Sequence, residues 1–223
     1  MPKITKFSIV TGALLATFAG LVYLLAWSSI FTASSIVISG APNADSKKLI
    51  LASSGVEVGQ KLARIEPRSI AQRLTQFTWI KDVQVSRNWI DGAVRISIEP
   101  RTPRAYFAGK TIDATGTIFL LPGFAATDLP YVSASKASLG ADAIALFQSL
   151  PESFRSQVIS LTAHNESNFS IRLSHQAREL RVKWGSAEKS ELKVEVLTAL
   201  LKLPENQKIR RVDLSAPHAP IVK

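Results

Sequence analysis

Between Lys6 and Asp45 the chain carries no charged side chain, and this gap constrains the fold more than any other feature. Its apolar part, Phe7 to Phe31, reads FSIVTGALLATFAGLVYLLAWSSIF. A helix of about 20 residues crosses a hydrocarbon core, so a run of about 25 predicts one membrane-spanning helix. Tyr23 and Trp27 lie toward its outer end, where amphipathic rings favour the interface. Lys3 and Lys6 precede the run. By the positive-inside rule they place that side in the cytoplasm and everything from about Ser34 outside. The competing reading is a cleaved signal peptide, cut near Ser28 to Ser34. Its apolar region would span only about 7–15 residues, so an uncleaved anchor is expected. Gly12, Ala16 and Gly20 recur every fourth residue on one helix face. Small residues at that spacing let a second membrane helix approach closely, although Gly and Ala are common in membrane helices generally.

An outer domain must then be stabilised without disulfides, because the chain has no cysteine. Thiol catalysis, thiolate-bound zinc and iron–sulfur clusters fall away with it. A disulfide-free extracytoplasmic domain suits a bacterium better than the cross-linked secreted modules of animals. Lys and Arg number 27 against 17 Asp and Glu, and setting aside Lys3 and Lys6 leaves a net of +8 beyond the helix. Such a balance attracts nucleic acid, anionic headgroups, acidic wall polymers or an acidic protein partner. The outer location removes nucleic acid from that set.

The outer part opens with Ser35 to Gly40, SIVISG, a β-branched run ended by Gly and hence a strand. Asn43 or Asp45 then caps a helix to about Ser53, with Leu49 and Ala52 on the apolar face. Glu66-Pro67 opens a second helix with Ile70, Leu74 and Phe77 inward. Ile80, Val83 and Val85 suit a strand, Asp91-Gly92 a hairpin turn, and Val94, Ile96 and Ile98 alternate with polar residues in a half-buried strand. Pro100 and Pro103 close this strand–helix–helix–strand–strand unit. Beyond it, short strands are expected at Ala105–Ala108, Thr111–Ala114, Thr117–Leu120 and Tyr131–Ala134, and a helix at Asp142–Leu150. Three further strands follow at Val158–Ala163, Asn168–Leu173 and Glu179–Trp184. Ser186 is expected to cap a helix whose buried stripe is Leu192, Val196, Leu200 and Leu203, and Ile209–Leu214 reads as a final strand. The residues past it, with Pro217 and Pro220, read as loose.

Chemistry is hard to find. His164, His175 and His218 are scattered, and no HExxH, Walker A or GxSxG pattern occurs. Ser-x-x-Lys appears at Ser133/Lys136, Ser186/Lys189 and Ser190/Lys193, but its SDN and KTG partners are absent, so chance accounts for it. No catalytic, cofactor-binding or metal-binding residues are assigned, and the chain is expected not to be an enzyme.

Several local strings taken in order resemble the FtsQ/DivIB family of cell-division proteins. Ile36–Gly40, Gly59–Leu62, Pro67–Leu74 and Val83–Asn88 look like a POTRA domain. WIKDVQVSRNWIDGAVRISIEPRTPRAYF resembles the family's passage from POTRA into its β domain. Asp113, Gly116, Leu129 and Pro130, then Gly185, Lys189 and Leu192, match later signals, and IRRVDLSAPHAPIV resembles the closing segment. The fold this implies is α+β: a cytoplasmic tail at 1–6, a transmembrane helix at 7–31, a β-α-α-β-β POTRA domain at 34–104, and a β-rich domain with flanking helices at 105–223. The function it implies is a non-enzymatic scaffold of the division machinery in the plasma membrane at the septum. It would recruit FtsB and FtsL, link early to late division proteins and influence septal peptidoglycan synthesis. The alternatives are a POTRA-containing transport or assembly module, whose barrel of alternating strands of about 10 residues finds no counterpart here, and a wall-polymer-binding membrane protein. The partner surface is expected on Ile209, Arg210, Arg211, Val212, Asp213 and Leu214, as a sheet edge able to accept another strand. Arg210 and Arg211 would steer an acidic segment toward it; the plainer reading makes them a solvated edge that blocks aggregation.

Overall fold

The computed structural model describes residues 3–26, 31–124 and 128–223; the side chains of 3–9 and 24–26 lie outside the described set. The chain divides into two units, 1–100 and 101–223.

In the first unit, α1 (Lys3–Ala26) is a continuous helix. Its described side chains, residues 10–23, are exposed all round, Leu14 and Phe18 each to 66%. Among the described residues no helix is long and apolar enough to cross a membrane. At 1.5 Å per residue the stretch 10–23 covers only about 21 Å of a core about 30 Å thick. Trp27, the side chains of Lys3 and Lys6, and much of the rejected cleavage region lie outside the described residues.

The remainder of this unit is the expected alternation: β1 (Ser35–Ser39), α2 (Ala44–Ser54), a 3-10 turn (Leu62–Arg64), α3 (Pro67–Leu74), β2 (Ile80–Arg87) and β3 (Ala93–Pro100). The sheet order is β1-β3-β2, with β1 parallel and β2 antiparallel to the central strand. Val94, Ile96 and Ile98 are buried while Arg95, Ser97 and Glu99 are exposed, as their alternation predicts. Asn43 caps α2, its side chain accepting from Ser46 N at 2.8 Å. The buried stripe of α2 is Ser46, Ile50 and Ser54, whereas Leu49 is half-buried and Ala52 exposed. Ser54 can be buried because its hydroxyl donates to Leu51 O and accepts from Val56 N; hydropathy alone passes it over. Phe77 falls beyond α3, in the turn before β2. Gly40 ends β1 at φ +77, and a Cβ there would run into the Ile98 carbonyl, so β1 can leave the sheet only through glycine.

The second unit is a nine-stranded mixed sheet. Its strands are β4 (Ala105–Phe107), β5 (Lys110–Ile112), β6 (Ile118–Phe119), β7 (Tyr131–Ala134), β8 (Val158–Asn165), β9 (Asn168–His175), β10 (Arg178–Gly185), β11 (Arg211–Asp213) and β12 (Ile221–Val222). They lie in the order β12-β11-β10-β9-β8-β7-β4-β5-β6. The helices α4 (Ala137–Ser149) and α6 (Ser190–Lys202), with the short α5 (Glu152–Arg155), cover one face. There Phe169, Ile171, Trp184, Leu197 and Ile144 form the core. An antiparallel-rich sheet with one face covered leaves the other for water or a partner.

The start of α6 departs from the sequence reading. Ser186 does not cap it; the helix begins at Ser190 behind Lys189, which sits in the left-handed region. The buried positions are Lys193 and Leu197, with Leu192, Val196 and Leu200 only half-buried and Leu203 exposed. Lys193 is 1% exposed: its ammonium donates to Ser186 O at 2.7 Å and lies 5.8 Å from the Trp184 ring centre. That anchor turns the helix away from the register its leucines suggest. Burial holds the Lys193 amine below its ordinary value, against the raising effect of Glu188.

Candidate functional site

The open face of the second sheet carries one continuous cross-strand row. Tyr106 pairs with Tyr131, Tyr131 with Ser160, Ser160 with Arg172, Arg172 with Arg181, and Arg181 with Arg211. The two tyrosine rings stack with centres 5.2 Å apart. The three arginines occupy neighbouring strands about 4.8 Å apart, where like charges directly opposite repel. Glu179 offsets part of this, 3.1 Å from Arg181 and 3.8 Å from Arg172. Arg172 also donates to Ser160 Oγ at 2.6 Å. Arg211 has no ion pair among the described residues, nor have Arg178, Lys208 and Arg210 around it. Arg178, Glu179, Arg181, Lys208, Arg210 and Arg211 line one open hollow, with five cations to one carboxylate.

A second groove of about 610 Å³ adjoins it, lined in part by Lys183, Asp213, Ile221 and Lys223. Lys183 and Asp213 pair at 3.0 Å. Burial pushes the Asp213 carboxyl up, but the Ser215 N–H and hydroxyl together with Lys183 hold it below the usual carboxylate range.

The expected edge strand is corrected here. Only Arg211–Asp213 of the segment 209–214 forms a strand, and β11 is paired on both sides. On one side Leu214 N donates to Lys183 O; on the other, Arg210 N and Arg211 N both donate to Lys223 O and Lys223 N returns to Arg211 O. Val212 and Leu214 are buried, Ile209 and Asp213 half-buried, and Arg210 and Arg211 exposed. The outermost strand is β12, with Ile221 exposed to 56% and Val222 to 37%. Sequence reading missed it because two residues show no period. The turn Ala216–Ala219, which holds Pro217 and closes through Ala219 N to Ala216 O, was the available signal.

His164 lines the second groove beside Arg172, Arg181 and Lys183, and the other expected positions are not part of that lining. Gly12, Ala16 and Gly20 are exposed on α1, and a Cβ at either glycine would meet nothing within 4 Å. Ser190 accepts from Trp184 Nε1 and donates to Ala187 O, while Lys193 turns to Ser186 O, so no serine–lysine dyad forms there. His164 contacts only Ser170, at 3.2 Å, among the described hydrogen bonds. Among the described residues no cluster of His, Asp and Glu could hold a metal. What this face presents chemically is a row of arginines, a stacked tyrosine pair and the outer main-chain edge of β12.

Comparison with known proteins agrees along the chain. Residues 31–101 match the model of the POTRA domain, FtsQ-type, and residues 105–215 match that of the cell division protein FtsQ/DivIB, C-terminal. The chain is 30% identical to the cell division protein FtsQ of Streptomyces bingchenggensis, over 96% of this chain and 84% of the relative. It is 28% identical to that of Streptomyces venezuelae, over 99% of this chain and 84% of the relative, and 29% identical to that of Streptomyces griseus, over 76% and 86%. The chain therefore belongs to the FtsQ/DivIB family of cell division proteins.

Proposed function

We propose that the protein is a single-pass scaffold of the division machinery, with its POTRA and β domains outside the plasma membrane, and that it docks an FtsB- and FtsL-type pair on the β11–β12 side of its sheet. The anchor is supported by α1, apolar and exposed on every described side, which is the pattern of a helix that needs hydrocarbon around it. Lys3 and Lys6 orient it. Gly12, Ala16 and Gly20 offer a partner's membrane helix a smooth face. The scaffold would link early to late division proteins and influence septal peptidoglycan synthesis through what it recruits rather than through catalysis.

The observation that carries the docking reading is the state of β12. Arg211 and Lys223 exchange main-chain bonds, so by the alternation of an antiparallel pair the N–H and C=O of Val222 point away from β11. That free edge lies beside exposed Ile221 and the arginine row. A partner strand added there gains main-chain bonds from the edge and reads acidic side chains against Arg211 and Arg181. The absence of cysteine permits a direct test. A photo-crosslinker attached at Ile221→Cys should capture the purified FtsB–FtsL pair. Capture no better than from Asp82→Cys, on the other unit, would sink the reading.

A further inference from the structure

We infer that the β2–β3 hairpin tip, Trp89-Ile90, together with Val58, seats in the headgroup layer of the bilayer that carries α1, giving the POTRA domain a second membrane contact. The inference rests on the anchor reading above.

Ile90 is 98% exposed and Val58 66%, and Trp89 is exposed to 38%. Apolar side chains held so far into solvent at a rigid tip ask for an apolar surface. The tip is rigid because it is stitched to the segment that leaves the helix. Ser34 N donates to Gly92 O at 2.8 Å, and Ser34 Oγ donates to Asp91 O at 2.6 Å. Gly92, at φ +68, packs so close that a Cβ would lie 2.8 Å from both Thr32 O and Ser34 Oγ. The Trp89 ring meets Phe31 edge-on at 6.0 Å. The Val58 loop is tied to the same segment from its other side: Gly59 N donates to Ala33 O, Ala33 N to Gln60 O, and Leu62 N to Phe31 O. Phe31 thus stands between both exposed apolar elements.

The depth follows from arithmetic. Residues 7–26 at 1.5 Å per residue span about 30 Å, the thickness of the hydrocarbon core. Phe31 then follows within about 17 Å of chain, a reach that includes the interfacial layer where Trp rings partition. The chemistry at this end fits headgroups rather than a second protein. The Arg87 guanidinium lies 5.2 Å from the Trp89 ring centre, and Lys61 bridges Thr32 beside Phe31. Of the two carboxylates beside these apolar tips, Asp91 is engaged by Arg95 at 2.8 Å and Glu57, next to Val58, is exposed. Aromatic and aliphatic tips flanked by basic groups are what an anionic bilayer surface binds.

Three single-cysteine variants of the full chain test this: Leu14→Cys, Ile90→Cys and Asp82→Cys, each carrying a polarity-sensitive fluorophore. Asp82 lies further along β2, about 20 Å from the tip at 3.3 Å per residue. The chains are reconstituted in vesicles containing phosphatidylglycerol and lipids spin-labelled at shallow or deep acyl positions. The expected result is deep quenching at Leu14, shallow quenching with a blue-shifted emission at Ile90, and neither at Asp82. Quenching at Leu14 with Ile90 behaving like Asp82 would overturn the inference and leave the anchor standing. No quenching at Leu14 would remove the anchor and this inference with it.

Discussion

Val222 stands directly opposite Val212 across the β11–β12 pair, and this short antiparallel contact moves the free edge of the sheet from β11 to β12. The Val222 N–H faces outward, so proline at that position removes a donor from the edge without taking one from β11. Val222→Pro should leave the melting transition of the second unit nearly unchanged and abolish most binding of the FtsB–FtsL pair by titration calorimetry. Undiminished binding by the folded variant would place the docking site elsewhere.

Charge at the arginine row acts on encounter more than on residence. Arg211→Glu should slow association with the proposed partner segment by about tenfold at low salt and reduce its salt dependence, with a much smaller change in dissociation. Stopped-flow kinetics at two ionic strengths separates these effects.

The second unit should fold alone, and its boundary should lie before Arg101. Arg101 pairs with Asp113 at 2.9 Å, with side chains 23% and 9% exposed, and Arg104 N donates to Ile112 O. Fragment 101–223 should therefore be about 1–2 kcal/mol more stable than fragment 105–223 in urea unfolding. A molten or aggregated product from both fragments would refute independent folding.

Asp113 organises the β5–β6 turn, accepting from Thr115 N, Thr115 Oγ and Thr117 N as well as from Arg101. Burial raises its carboxyl pKa, but these donors together bring it below the usual value of 3.8. A depressed carboxylate stabilises the fold at all pH values above its unfolded pKa, and that contribution is lost as pH falls through the folded value. Asp113→Asn should cost about 2 kcal/mol at pH 7, and the gap from the parent should close as the pH drops below about 4. Urea midpoints at pH 7 and pH 3 measure it.

Gly40→Ala should destabilise the first unit by about 3 kcal/mol or more, because the new methyl needs both a left-handed backbone and the space of the Ile98 carbonyl. The transition of the second unit should not move. A calorimetric scan that resolves the two transitions checks both statements.

Much of the first unit was legible locally. Val94, Ile96 and Ile98 alternate, Asp91-Gly92 turns and Asn43 caps, and each signal acts within a few residues. The candidate site was legible only in part: the basic pair Arg210-Arg211 stands out in the chain, but its partners Arg172 and Arg181 come from strands that pair through distant segments. Parallel pairs such as β7 with β8 and β10 with β11 have no local signature, because their registers are set by the intervening helices.

The sequence by itself determined the apolar run, the two successive patterns of elements, the absence of thiol chemistry and the net basic charge. These depend on composition and short-range period, which no tertiary contact can alter. Only the tertiary structure decided which strand is the edge, which face of α6 is inward and which charges share a row. Two residues at 221–222 become a strand because Arg211 and Lys223 exchange bonds, and Lys193 turns inward because Ser186 O and the Trp184 ring receive its ammonium. Both outcomes are settled by hydrogen bonds and a ring contact formed when the chain folds back on itself, and neither is set by the hydropathy of the residue alone.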